Sequence, residues 1–237
     1  MILNRISTAA AFVLLGTVSL AVSQESSLQI RAVLHNSTQA DAKFYVGKVG
    51  EKMVPLNLAD EGLTDPQKVE TENGSLSIFT SDAIDKSNAL ASLGATIKIP
   101  PGSARFIVIV VPANPGTKTP YQILLLEDDP KSFPWGESRV VNLTPVDFAL
   151  EVSDQKLRLP GGKITAVPKV TKVDEYNRAQ TDFYYKQGEQ WVVAAQREMT
   201  YVNGLRRVFV IYKTPGALAP DVRTLVDQLP AVVDKPR

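Results

Sequence analysis

Cysteine is absent from the 237-residue chain, and histidine occurs once, as His35. Without cysteine the chain cannot form disulfides, use a thiol nucleophile or bind a metal through thiolates. One histidine also cannot supply the several imidazoles of the usual zinc sites. We therefore expect no catalytic residues, no metal ligands and no cofactor, and we interpret His35 as a structural or exposed residue at the end of a strand.

Complete catalytic and phosphate-binding motifs are also lacking. Pro160-Gly161-Gly162-Lys163 is similar to the end of a phosphate loop, but Leu157 stands where the first glycine belongs. Gly136-Glu137-Ser138-Arg139 ends in arginine where a nucleophile elbow needs its second glycine. Glu127-Asp128-Asp129 lacks the spacing of a calcium loop, so we interpret it as a turn with solvated charge. Sequence does not reveal carboxylate separations, so a carboxylate-based enzyme stays as an alternative.

An excess of charge of either sign is missing as well. The chain has 26 basic and 25 acidic residues, and one of the basic residues, Arg5, lies in the N-terminal segment discussed next. The rest of the chain is therefore formally neutral. Nucleic-acid binders usually carry a basic excess, so we expect no nucleic-acid partner.

The first 23 residues have the pattern of a cleaved signal peptide. Arg5 precedes an almost uncharged stretch from Ile6 to Val22, and Ala21 and Ser23 place small residues at the cleavage site. The strongly apolar part, Ala9 to Leu20, is shorter than the roughly 20 residues that span a bilayer. We therefore expect export to a periplasm or the extracellular space and no membrane span after cleavage.

Short apolar runs divided by proline and glycine predict an all-β fold. The most apolar run, Arg105 to Pro112, predicts a fully buried strand, and Arg207 to Tyr212 repeats its order of charge and β-forming residues. The other strands are predicted at 28–34, 43–46, 53–58, 75–80, 95–99, 121–126, 139–144, 148–152, 156–159, 163–167, 182–186 and 190–195.

The two halves of this pattern are similar. A strand led by Arg31 and closed by Asn36 has a counterpart led by Arg139 and closed by Asn142. We therefore predict an internal repeat: two tandem immunoglobulin-like β-sandwich lobes over residues 24–130 and 131–218. One larger sandwich is the alternative architecture, and a chance likeness of two all-β segments is the alternative to duplication.

A short helix is predicted within residues 219–237. Pro220 suits a first helical turn, and the apolar residues after it recur at helical spacing. These residues are Val222, Leu225, Val226 and Leu229.

An aromatic cluster is the candidate binding site. Tyr184, Tyr185 and Trp191 lie on one predicted hairpin, with Tyr212 on a neighbouring strand. Exposed together, they could stack on sugar rings or anchor a protein, because tyrosine and tryptophan offer large rigid surfaces with a polar tip. The alternative is that Trp191 fills the second core.

These observations favour an exported, non-catalytic protein that is structural or binds an envelope protein or a glycan. A second possibility is a periplasmic assembly chaperone, which the chain resembles in size and two-lobed architecture, without a residue-level match. An exposed, unpaired apolar strand edge in the N-terminal lobe would favour that role. The carboxylate-based enzyme is the third possibility.

The signal peptide can be tested directly. When the full chain is expressed in a bacterial host, the exported product should begin at Gln24, because cleavage is predicted after Ser23. Intact-mass measurement of the periplasmic fraction checks the new N-terminus. A product that keeps residues 1–23 and stays in the membrane fraction would contradict the prediction.

Overall fold

A computed structural model describes residues 27–35, 42–59 and 62–229 of the chain. The predicted signal peptide lies outside these residues. The described residues are all-β and include no helix, so none of them provides a helix that could cross a membrane. Their strands are β1 (Ser27–Leu34), β2 (Tyr45–Val46), β3 (Val54–Pro55), β4 (Leu58–Ala59), β5 (Gln67–Glu70), β6 (Ser75–Phe79), β7 (Leu93–Lys98), β8 (Arg105–Pro112), β9 (Tyr121–Glu127), β10 (Ser138–Asn142), β11 (Phe148–Val152), β12 (Gln155–Leu159), β13 (Ile164–Val167), β14 (Arg178–Gln187), β15 (Gln190–Thr200), β16 (Leu205–Tyr212) and β17 (Asp221–Gln228).

The strands form four sheets. Sheet I has the order β3-β2-β6-β7, and sheet II has the order β4-β1-β8-β9, with β5 pairing with the first part of β1. Sheet III has the order β13-β10-β16-β17, and sheet IV has the order β12-β11-β14-β15. Strand β1 is parallel to β8, and β10 is parallel to β16. Both long apolar strands are therefore interior strands of their sheets.

The sheets pack as layers in the order I, II, III, IV. One core lies between sheets I and II and contains Ile30, Phe106 and Leu76. A second lies between sheets III and IV and contains Phe209 and Phe183. The third lies between sheets II and III, and its members are Val33, Ile107, Ile109, Val111, Leu126, Phe133, Val141, Val208, Val210 and Leu225.

This layering explains the apolar runs of β8 and β16. Successive residues of β8, such as Phe106 and Ile107, belong to the cores on opposite sides of sheet II. In the same way, Phe209 and Val210 of β16 belong to the cores on opposite sides of sheet III. A strand covered on both faces has no solvent-facing positions, so its sequence is continuously apolar instead of alternating. The prediction of a fully buried strand at Arg105 to Pro112 is confirmed over residues 106–111.

The two halves use the same strand order. When β4 is set aside, each half contributes eight strands that form one sheet in the order 3-2-5-6 and another in the order 4-1-7-8. The immunoglobulin arrangement places strands A, B, E and D in one sheet and C, F and G in the other. The observed order differs from it, so the immunoglobulin-like part of the prediction is not confirmed.

The predicted C-terminal helix is wrong, because residues 221–228 form strand β17. All eight residues of β17 pair with β16, which would otherwise be an edge strand. Its two buried apolar residues face different cores, since Val222 packs between sheets III and IV while Leu225 packs between sheets II and III. Long-range pairing thus overrode a helical spacing that was itself weakened by β-branched residues.

Four charged side chains form a ring between sheets II and III. Arg31 binds Asp128 and Asp227, each through two hydrogen bonds of 2.7 to 2.9 Å. Arg206 donates from Nε to Asp227 at 2.7 Å and from a terminal nitrogen to Asp128. Its other terminal nitrogen donates to the carbonyl oxygen of Phe133 at 2.8 Å. The ring therefore joins β1 and the end of β9, in sheet II, to β16 and β17, in sheet III.

This ring corrects one sequence interpretation. Asp128, predicted as part of a solvated turn, is buried, because both of its oxygens accept from guanidinium groups. Burial alone would raise the pKa of Asp227, but the hydrogen bonds from Arg31 and Arg206 hold it below its ordinary value. Arg206 also lies between the rings of Phe133 and Trp135, 4.5 and 4.4 Å from their centroids.

Arg207 is buried on the opposite face of β16 without a carboxylate. Among the described residues it donates to the carbonyl oxygen of Thr200 and lies 4.8 Å over the ring of Tyr201. Its Nε atom has no hydrogen-bond partner there. Burial lowers the pKa of its guanidinium. Adjacent arginines thus occupy opposite electrostatic environments.

The two arginines should respond differently to the same substitution. Arg206→Met should lower the free energy of unfolding by about 3 kcal/mol or more, because it leaves two buried carboxylates short of donors. Arg207→Met should change it by no more than about 1 kcal/mol, because relief of the buried charge offsets the lost contacts. Urea unfolding at pH 7 measures both values. Equal losses in the two variants would contradict the assignment.

Candidate functional site

The four predicted site residues occupy three different places. Tyr184 and Trp191 lie on the outer face of sheet IV, away from the core. Tyr185 lies on the inner face, where its ring is 6.0 Å from that of Phe148. Tyr212 lies between the two halves of the chain, where its ring and that of His35 meet edge to face at a centroid distance of 4.5 Å. The sequence therefore placed aromatic residues correctly on strands but did not show that they belong to separate surfaces.

The outer face of sheet IV carries what we call the outer aromatic patch, formed by Trp191, Tyr184, Val193 and Ala149. Tyr184 pairs with Val193 on one side and with Ala149 on the other, so the three side chains form one row across the sheet. Trp191 stands in the adjacent row, opposite Lys186. Trp191 is 48% exposed and Val193 is 47% exposed. The interpretation that Trp191 fills the second core is therefore wrong.

Charged side chains border the outer aromatic patch. Lys186 lies beside Trp191 across the strand pair, and Asp182 is next to Tyr184 on the same face of β14. Lys156 of β12 and Glu151 of β11 form an exposed ion pair of 2.8 Å on the two strands beyond β14. Loss of hydration, followed by the charges of Asp182 and Glu151, raises the pKa of the Tyr184 hydroxyl, which therefore stays protonated at neutral pH.

A second candidate surface is a groove between the two halves of the chain, at the end where the β8–β9 and β16–β17 hairpins turn. Its first part has a volume of about 290 Å³ and is lined by residues of both halves, including His35, Leu124, Leu143, Tyr212 and Lys213. We call this surface the interlobe groove. It follows directly from the packing of sheet II on sheet III, which brings the two hairpin turns side by side.

His35 is 2% exposed in the wall of this groove. Arg223 donates to the carbonyl oxygen of Leu34 at 3.1 Å and lies 3.4 Å from Nδ1 of His35. Burial, and after it the charge of Arg223, lowers the pKa of His35 to about 4. The imidazole is thus neutral, with Nδ1 facing a donor, which leaves the proton on Nε2. That atom has no hydrogen-bond partner among the described residues.

Neither a metal-binding group nor a similar protein indicates what chemistry these surfaces carry out. The described residues contain no group of three or more histidine, aspartate or glutamate side chains arranged to hold a metal ion. No protein-family model matches the chain, and no curated protein is similar to it in sequence. The candidate sites therefore rest on their geometry.

His35 should make the stability of the protein depend on pH. In the unfolded chain its pKa is about 6.5, so below that pH the unfolded state binds a proton that the native state binds only near pH 4. The free energy of unfolding therefore has its full value above pH 6.5. It falls by about 2 to 3 kcal/mol in total between pH 6.5 and pH 4.

The measurement is urea unfolding at pH 7.5 and pH 4.5 for the wild type and His35→Gln. Because His35 is the only histidine in the chain, the variant should lose most of this pH dependence. The same slope in both proteins would show that another group causes it.

Proposed function

We propose that this chain is an exported, non-catalytic binding protein that holds a protein of the cell envelope against the outer aromatic patch. The observation that carries the proposal is the exposure of Trp191 and Val193 on a flat sheet face beside Tyr184. Surface tryptophans with aliphatic neighbours are typical of the centres of protein interfaces. The exported location rests on the signal-peptide pattern of residues 1–23.

The composition of the patch favours a protein over a glycan. Val193 and Ala149 add aliphatic surface that a sugar ring cannot use for hydrogen bonds, whereas it packs well against apolar protein side chains. The surrounding charges, Lys186, Asp182, Lys156 and Glu151, form a polar rim of mixed sign. An apolar centre with a polar rim is the usual organisation of a protein interface.

The layered architecture suits this role. The ion ring and the core between sheets II and III hold the two halves together, so the patch is presented on a rigid body. We further propose that the halves are two lobes that arose by duplication, since they share one strand order. A duplicated lobe leaves one outer sheet free to specialise, as the aromatic residues of sheet IV suggest.

The assembly-chaperone alternative has one observation in its favour. Strand β9, at the edge of sheet II in the N-terminal half, has the apolar sequence Ile123-Leu124-Leu125-Leu126 and pairs with β8 only, among the described residues. An apolar edge strand can donate or receive a strand in a complex. Its leucines are at least half buried, however, which makes β9 a poorer docking surface than the outer aromatic patch.

The patch can be tested with matched aromatic variants. Trp191→Ala should weaken binding of envelope proteins by at least about tenfold, because an anchoring tryptophan contributes much of an interface's free energy. Tyr176→Ala is the control, since Tyr176 is 64% exposed at a different place on the same lobe. Capture of envelope proteins on immobilised wild type and variants, followed by affinity measurement with the captured protein, gives the result.

Two outcomes would contradict the proposal. An equal loss of affinity in the Trp191 and Tyr176 variants would show that the patch has no special role. Binding to an oligosaccharide panel that quenches Trp191 fluorescence, without any protein captured, would assign the patch to a glycan. The Trp135→Phe background leaves Trp191 as the only tryptophan and makes that signal specific.

A further inference from the structure

The interlobe groove continues beyond the lobe interface. A second depression, with a volume of about 420 Å³, is lined by residues that include Pro145, Tyr185, Lys186 and Leu218. Leu143 and Lys213 line both depressions, so the two parts meet at these residues. The combined groove runs from His35 between the lobes to the turn that joins β14 and β15. Two of the predicted aromatic residues, Tyr212 and Tyr185, thus line one continuous surface.

Two turns of fixed conformation border the groove, whose lining mixes apolar and polar side chains. Both hairpins turn through Pro-Gly pairs, Pro115-Gly116 and Pro215-Gly216, whose glycines have φ of 86° and 82°. The closing hydrogen bonds correspond, from Thr117 to Asn114 at 3.2 Å and from Ala217 to Thr214 at 3.0 Å. Proline followed by glycine with positive φ makes these type II turns. A groove with rigid walls loses little conformational entropy on binding.

The floor near Pro145 is equally constrained. Asn142 donates to the carbonyl oxygens of Val146 at 2.8 Å and Leu159 at 3.1 Å, and its own Oδ1 accepts from the Thr144 hydroxyl at 2.8 Å. Gly161 lies so close to Pro145 that a Cβ atom there would be 2.5 Å from the carbonyl oxygen of Pro145. The second depression therefore has a buried, hydrogen-bonded support.

The charged side chains that line the groove have one sign. They are Lys213 and Lys186, and no aspartate or glutamate lines the groove among the described residues. Two carboxylates next to lining residues have other partners. Asp221 accepts from Tyr212 and from the backbone of Val222, and Asp147 accepts from Arg158 and the backbone of Gly161. An occupant with carboxylates would complement this lining.

We propose that the interlobe groove binds an extended, apolar segment of a partner protein that carries carboxylate groups. Its apolar side chains pack on Leu143, Tyr212 and Leu218, and its carboxylates lie near Lys213 and Lys186. An extended segment fits because the two depressions are adjacent, sharing Leu143 and Lys213, so that one segment can reach both. The groove shares only Lys186 with the border of the outer aromatic patch, and Lys213, Leu143, Tyr212 and Leu218 belong to the groove alone.

The test uses three fluorescein-labelled peptides of the same length. The first has the sequence Leu-Val-Asp-Leu-Val-Asp-Leu, the second has asparagine in place of aspartate, and the third has lysine there. In fluorescence anisotropy at low salt, the acidic peptide should bind at least about tenfold more tightly than the lysine peptide, and added salt should reduce the difference. The asparagine peptide should lie between them.

Variants locate the binding. Lys213→Glu should weaken binding of the acidic peptide by about tenfold and strengthen binding of the lysine peptide, as expected for reversal of a charge in contact with the ligand. Leu218→Ser should weaken all three peptides, and it should not disturb folding, since Leu218 is 98% exposed. Lys98→Glu is the control, because it reverses an exposed charge on β7, in sheet I. Trp191→Ala should bind the peptides as the wild type does.

Four results would overturn the proposal. The first is equal affinity for the acidic and lysine peptides. The second is that Trp191→Ala loses peptide binding while Lys213→Glu keeps it, which would move the site to the outer aromatic patch. The third is full competition by octanoate, which would make the groove a small-ligand site. The fourth is concentration-dependent dimerisation that Lys213→Glu abolishes, which would make the occupant a second copy of this chain.

Discussion

The packing of sheet II against sheet III is the constraint on which the rest of the molecule depends. It buries both faces of two sheets, so β8 and β16 must be apolar along their length, and any charged group between the sheets must find its partner there. Arg31, Asp128, Arg206 and Asp227 meet this requirement by satisfying one another. The same packing places the two hairpin turns side by side and so creates the interlobe groove.

The ion ring acts on arrangement more than on stability. A buried ion pair gains little over apolar residues of similar size, because both charges lose their hydration. Its geometry, however, tolerates few alternatives. The planar guanidinium of Arg31 can donate to two carboxylates, each through two hydrogen bonds, only when sheets II and III stand in one register.

Local patterns predicted most strands, and long-range pairing accounts for what they missed. The runs at Arg105 and Arg207 were recognisable because they are apolar and flanked by proline and glycine. Strand β17 was not, because its residues fit a helix as well as a strand until β16 is seen beside them. Strand β5 was also missed. Its sequence, Gln67–Glu70, is polar and becomes a strand only by pairing with β1.

The candidate sites show the same division between local and distant information. Tyr184 and Trp191 could be placed on one hairpin from their spacing, but which face each occupies depends on a register shift between Phe183 and Tyr184. Arg206 and Arg207 are adjacent in the chain, and nothing near them in the sequence indicates that both are buried. His35 belongs to the groove only because Tyr212 and Arg223, far along the chain, pack against it.

The parallel pairing of β1 with β8 and of β10 with β16 has a consequence for how the chain matures. In each half the first strand must wait for a partner that is roughly 70 residues further on, and such non-local contacts make folding slow. The contact between Arg31 and Asp227 spans 196 residues and cannot form until nearly the whole chain is available. The packing of sheet II on sheet III is therefore completed only late in the synthesis of the chain.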